Sequence, residues 1–514
     1  MSKTIIIIGA GLAGLSAALQ AAENGCNVKL VSSLPSERAQ SVMAEGGINA
    51  ALNTKDENDS PEEHFTDTIK AACGLADPNA VWGMTQAAPE LVHWLLKLGV
   101  KFNMSGYDDV DLRNFGGQKK KRTAFAQSDT GKQIMTAMID AVRRKEASGM
   151  VERFSHHSFL TLRLCGNICC GCVIRDEYSQ ETVELPGDAV IVATGGMHGL
   201  FGNTTGSLSN TGEVTAELFR LGVPLANGEM IQYHPTTVKC GGKRMLISEA
   251  ARGEGGRLFA MKDGKQWYFM EEKYPELGNL MPRDITAREI WKVSHESEVF
   301  LDMTEISEEI ISNKLSGLAD DCMTYLHKDI RKEPVSVLPG IHYFMGGILV
   351  DEQHRTPIQN LYAAGECCAQ YHGANRLGGN SLLGALYGGR VAAKSACEQA
   401  DVVDLSCAAQ IDFPPASQIS KIKQLNKVMQ ETMGVVRNEN TLLNGIQTVQ
   451  ALTGNLPLLG MAVLKSALAR KESRGAHWRE DYPKSNDDDY LKTTVARFDG
   501  KQIQISFVPV PERR

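Results

Sequence analysis

The strongest constraint on this chain lies in its first twenty residues. Ile5-Ile6-Ile7-Ile8 is a β-branched run suited to a strand buried on both faces. It leads directly into Gly9-Ala10-Gly11-Leu12-Ala13-Gly14, and Leu15-Ser16-Ala17-Ala18-Leu19 then opens a helix. Val28-Lys29-Leu30-Val31 supplies a second strand, so the glycine cluster occupies the turn of a βαβ unit. A GxGxxG alone is a weak signal. In this setting it is a dinucleotide fingerprint, with a pyrophosphate resting on the helix N-terminus. The generic fingerprint ends its second strand on an acid for the ribose. Here Ser32-Ser33 stand in that place, keeping hydroxyls but lacking the charge that favours NAD.

A chain of 514 residues calls for about three structural units. Hydrophobic residues at 42% and charged residues at 22% argue against wholesale disorder. A net charge of -7 gives no electrostatic reason to bind nucleic acid. No apolar run approaches the ~18 residues that cross a bilayer, and the N-terminus lacks the order of a signal peptide. The twelve cysteines are therefore expected to be mostly reduced, in a cytoplasmic protein.

Later segments return to the first unit. Ala189-Val190-Ile191-Val192 reads as a buried strand ending in Ala193-Thr194-Gly195-Gly196, and Leu361 to Gly365 repeats the pattern with Glu366 at its end. Residues 223–340 lie between these segments and read as an inserted domain. The expected limits are 1–222 and 341–404 for the nucleotide-binding unit, 223–340 for the insertion and 405–514 for a helical region. Ile422, Leu425, Val428 and Met429 mark one face of a helix there, and Asp499-Gly500 marks a terminal hairpin.

Cys165, Cys169, Cys170 and Cys172 fit no usual iron–sulfur spacing, and they read as small hydrophobes in a hairpin, so no metal site is expected. Lys119-Lys120-Lys121-Arg122 reads as a solvated face, with partner docking as the lesser option.

Chemistry concentrates in five segments: Gln232 to Thr236, Ser248 to Gly256, Pro282-Arg283-Asp284, His342 to Gly347, and His372 to Leu382. Histidines and arginines beside glycine turns suit a dianionic carboxylate, which arginine grips bidentately. The motifs HPT, SEAARGEGG, PRD, HYFMGG and HGANRLGGNSL, in this order, resemble the flavoprotein subunit of the succinate dehydrogenase/fumarate reductase family, which includes L-aspartate oxidase.

That resemblance implies an α/β fold: a Rossmann-like FAD-binding domain, an inserted α+β capping domain and a C-terminal helical domain. It implies FAD contacts at Gly9, Gly11, Gly14, Ser32, Ala44, Gly46, Gly47, Thr194, Gly195, Glu366, Ser381 and Leu382. Glu213 stands where the family has the Asp of its TGD motif. His234, Ser248, His342 and Arg376 would hold substrate carboxylates, with Arg283 as proton donor fed through Glu249 and Arg252. The alternative for Arg283 is a purely electrostatic clamp.

Membrane-bound relatives attach FAD through a histidine, whereas the matching position here is Gln40, so the resemblance implies non-covalent FAD. The main alternative is L-aspartate oxidase, whose pattern places Glu before a glycine pair. Phe115 occupies that place, offering no partner to an ammonium but packing well on an alkene carbon. A non-catalytic FAD-binding redox protein is the remaining alternative. The chain carries no electron-transfer motif of its own, and the resemblance implies an iron–sulfur partner subunit. Localisation would be cytoplasmic, or peripheral to a membrane through such partners.

Overall fold

The computed structural model describes residues 2–402, 411–413 and 419–514. Five parallel strands form the central sheet in the order Leu361–Ala363, Ala189–Val192, Thr4–Ile8, Asn27–Ser32 and Val151–Ser155. The isoleucine run alternates between two cores. Ile5 and Ile7 pack with the helices Leu12–Glu23, Thr130–Ala147 and Asn380–Gln399. Ile6 and Ile8 pack on the opposite face with Leu162, Cys169, Cys172 and Ile174. A strand covered on both faces needs this continuous apolar run.

The cysteines in question belong to an antiparallel sheet of His157–Cys165, Ile168–Asp176 and Thr182–Pro186. Cys169, Cys170 and Cys172 are fully buried there, and burial pushes the Cys169 thiol up to about 12. They fill space as small apolar side chains.

The first helix starts at Leu12, three residues earlier than the pattern suggests, with Gly11 as its N-cap. Gly14 therefore lies inside the helix. A Cβ there would stand 1.8 Å from the Gly9 carbonyl oxygen, so only glycine lets the helix fold back so closely on its turn.

Between the strands of the main sheet, residues Ile247 to Val337 build a separate core, joined from outside by Phe115. Its sheets are Ile231–Cys240 with Lys243–Leu246 and Leu338–Phe344, and Arg257–Lys262 with Lys265–Trp267, Val299–Asp302 and Val335–Ser336. Arg283–Val293 is the main helix lying against the first of these.

The C-terminal helices Ile419–Thr432, Glu439–Gln450 and Asn455–Ala469 share a core in which Leu425 and Met429 are fully buried and Ile422 and Val428 partly so. The expected start of this region near residue 405 lies outside the described residues. The terminal hairpin, Lys492–Phe498 and Ile503–Pro509, turns at Asp499-Gly500. It does not stand apart: Lys492–Phe498 pairs with Leu225–Ala226, extending a sheet that reaches Gly347–Leu349.

One surface expectation fails. Lys119 and Lys121 are exposed, but Arg122 is fully buried, held by Asp59 at 2.8 Å and Asp67 at 2.9 Å. Two carboxylates more than fifty residues upstream make burial of that charge tolerable. No helix among the described residues is long and apolar enough to cross a membrane.

Candidate active site

A cavity of about 540 Å³ opens where the C-terminal ends of the parallel strands meet the insertion. Gly9 sits where two strands end side by side, at φ +111°, and a Cβ there would stand 2.3 Å from the Ala193 carbonyl oxygen. Gly11 caps the following helix and has no side chain to cover its N-terminus, which lies at the cavity wall with Ser41 Oγ accepting from the Leu12 amide at 3.2 Å. Ser32, Thr194, Gly195, Glu213, Glu366, Ser381 and Leu382 line the same space, as do Ala44, Gly46 and Gly47. Ser32 Oγ is buried with no hydrogen-bond partner among the described residues, as a ribose-binding hydroxyl should be before its ligand arrives. These features fit FAD. Gly14 is the exception among the sequence-derived contacts: it lies off the cavity and acts through helix packing.

The opposite wall carries the charged residues. Arg283, on the first turn of its helix, donates to Glu249 Oε2 from Nε at 2.9 Å and from Nη2 at 2.6 Å. Its Nη1 donates to Gln232 Oε1 at 3.0 Å. Glu249 Oε1 accepts from Arg252 Nη2 at 3.3 Å and from the Gly116 amide at 3.1 Å. Burial opposes ionisation of Glu249, but Arg283 and Arg252 outweigh it and hold the carboxyl below its usual range. Arg252 stands one layer behind the cavity, whereas Glu249 and Arg283 reach it.

His234 and His342 meet edge to face, with ring centroids 5.1 Å apart. Burial, then Arg283, pushes both well below the usual imidazole range, so both are neutral near pH 7. Arg376 lies 4.2 Å over the Tyr343 ring, and its Nε is buried without a partner among the described residues. Burial and then Arg283 bring it down to about 9. Ser248 caps the helix Glu249–Gly253, its Oγ accepting from the Ala250 amide at 3.4 Å. Phe115 closes one side against Gly46, where a Cβ would come within 2.8 Å of its ring.

Three residues that sequence reasoning did not single out as site residues also belong here. Gln232 bridges the two arginines, because its Nε2 donates to the Arg376 carbonyl at 2.8 Å while its Oε1 receives Arg283. Tyr343 supports Arg376 from below. Glu45 lines the cavity, and its carboxyl is pushed up to about 8 by burial and then by Asp321, with Arg113 opposing. Gln232 and Tyr343 adjoin the motif histidines, a proximity signal that was available in the sequence. Glu45 lies between Ala44 and Gly46, both expected FAD contacts, but what raises its carboxyl, burial and then the charge of the distant Asp321, left no mark in the local sequence.

A family model described as "FAD binding domain" matches residues 4–382, and one described as "Fumarate reductase flavoprotein C-term" matches residues 452–513. The succinate dehydrogenase flavoprotein subunit of Bacillus subtilis (strain 168) is 38% identical over 100% of this chain and 98% of its own length. The chain belongs to the succinate dehydrogenase/fumarate reductase flavoprotein family. As a member of that family it binds FAD and is an oxidoreductase acting on CH–CH bonds. Within the family, the 8-methylmenaquinol:fumarate reductase flavoprotein subunit of Wolinella succinogenes is 32% identical over 100% of this chain and 92% of its own length. Among solved structures, a mutant E. coli quinol fumarate reductase superposes with a TM-score of 0.87 at 26% identity, over 99% of this chain and 97% of that one.

Proposed function

We propose that this flavoprotein interconverts fumarate and succinate, with Arg283 as the proton donor in the reducing direction. The observation that carries the reading is the buried Arg252–Glu249–Arg283 ladder, which opens onto the cavity that the glycine cradle completes. Bound FAD supplies the two-electron chemistry, exchanging a hydride with one carbon of the substrate's central bond. Arg376, His342, His234 and Ser248 hold the two carboxylates, and Phe115 packs on the carbon skeleton. Grip at both ends polarises the double bond and stabilises the charge that develops as it is reduced. Arg283 places a proton on the other carbon. A guanidinium gives up a proton reluctantly, its pKa exceeding ~12. Glu249 lies between two guanidinium groups, so it can return that proton from Arg252 without a free charge crossing the interior.

Gln40 lines the cavity and its Oε1 accepts from the Ser207 amide at 2.6 Å, which supports a non-covalent FAD. Electrons reach such a flavin from outside the chain, most simply from a separate iron–sulfur subunit. The test is anaerobic: reduce the bound flavin with dithionite, add fumarate and follow flavin absorbance and succinate. Rapid reoxidation with succinate formed is expected, and Arg283→Ala should slow it at least about 100-fold with an unchanged flavin spectrum. Failure of the unaltered protein to reoxidise would sink the reading, and turnover of L-aspartate with oxygen would replace it.

A further inference from the structure

His342 can serve as a carboxylate ligand only if its cavity-facing nitrogen carries a hydrogen. A neutral imidazole has one N–H, and which nitrogen holds it is set by what the other nitrogen meets. For His342 that partner is Thr205: its Oγ1 lies 2.8 Å from Nδ1. The same hydroxyl has one competing acceptor, the Ile341 carbonyl at 3.4 Å, which already accepts the Thr205 amide at 3.0 Å. The shorter contact is to the ring. We propose that Thr205 is a positioning residue that donates its hydroxyl hydrogen to His342 Nδ1, fixing the Nε2–H tautomer and making His342 a donor to a substrate carboxylate.

The surroundings agree. Arg283 and Arg376 stand nearby and, with burial, keep the imidazole neutral, so protonation of both nitrogens is not an alternative. Thr205 itself is held by its neighbours. Thr204 Oγ1 pairs with His198 Nδ1 at 3.0 Å and accepts the Gly206 amide at 3.2 Å. Gly206 lies directly on the His198 ring, where a Cβ would come within 2.2 Å of it. The loop is thus locked on both sides of Thr205, and its hydroxyl can hold one orientation.

His234 is not decided in this way: the hydroxyl beside it, Thr236 Oγ1 at 3.4 Å from Nδ1, donates to the Ile247 carbonyl at 2.8 Å. Its Nδ1 lies 3.1 Å from the Thr236 carbonyl and 3.3 Å from the Thr236 amide, contacts that call for opposite tautomers. Only His342 has a partner that decides the matter.

The inference rests on the dicarboxylate reading of the cavity, and the experiment separates the two. Malonate, which cannot be reduced, is titrated into the FAD-loaded protein and followed by the flavin difference spectrum. Thr205→Val is expected to weaken malonate about tenfold and to raise the KM for fumarate similarly while changing kcat much less; Thr205→Ser should restore both to within about threefold. In parallel, imidazole 15N shifts of histidine-labelled protein, assigned by loss of a signal in His342→Asn, should show an unprotonated Nδ1 in the unaltered protein without ligand. Unchanged malonate affinity in Thr205→Val, or a protonated Nδ1, would overturn the proposal. If the unaltered protein binds no malonate, the dicarboxylate reading falls instead, and the nitrogen shifts alone decide the tautomer.

Discussion

At the scale of single residues, the cavity is a place where charge is taken out of water and then balanced or left in tension. Glu249 is balanced, with a guanidinium on each side. Glu45 is left in tension: burial and Asp321 raise its carboxyl from 4.5 to about 8, and Arg113 offsets only part of the shift. The folded chain therefore keeps a proton that the unfolded chain releases. The stability this proton confers is complete below pH 4.5 and is lost as pH rises through about 8. The slope is at most about 1.4 kcal/mol per pH unit. Glu45→Gln removes that titration, so its stability relative to the unaltered protein should rise from pH 6 to pH 8. Denaturant melts of both proteins at the two values measure this directly. Parallel pH profiles would show that Glu45 ionises normally.

At the scale of elements, the glycine turn illustrates how much of the fold the sequence carries and where legibility stops. The βαβ unit, the strand Ala189–Val192 and the terminal hairpin are local patterns of alternation and turn chemistry, and they were legible. The motif residues on the two cavity walls were legible as segments too. What brings them together was not: Gln232 joins Arg283 to Arg376 across contacts 51 and 144 residues long. Arg122 looked solvated because its carboxylates, Asp59 in a loop and Asp67 in the helix Pro61–Ala71, lie more than fifty residues away. Pairing of the tail with Leu225–Ala226 is likewise a long-range match of short strands with no periodic signature. Gly14 and Gly25 give a contrast that tests the local part. A Cβ at Gly14 would strike the Gly9 carbonyl at 1.8 Å, whereas at Gly25 nothing lies within 4 Å and only its φ of +80° is unfavourable. Gly25→Ala should cost about 1–2 kcal/mol and leave the flavin content whole. Gly14→Ala should yield protein with little or no flavin, read as the ratio of flavin to protein absorbance. Full flavin content in Gly14→Ala would mean that the turn tolerates a shift this packing forbids.

At the scale of the whole molecule, the site belongs to no single body. Arg376 comes from the loop ahead of the helix Asn380–Gln399, while Ser248, Arg283 and His234 come from the insertion with its own core. The two bodies already share Gln232, whose side chain spans them. On the proposed reading, a dicarboxylate held at one end by Arg376 and at the other by the insertion adds a second tie between them. It binds only when both walls are folded and in register, so its binding energy stabilises the native arrangement by mass action. Malonate at a hundred times its dissociation constant should therefore contribute about 2.7 kcal/mol, a rise of about 1–4 °C in the melting temperature of a chain this large. Arg376→Leu removes one end of the tie while leaving the insertion's core untouched. It should lose the malonate-dependent rise yet still melt as a folded flavoprotein. A rise of equal size in Arg376→Leu would mean that the ligand is held by the insertion alone, and that the two walls do not act as one site.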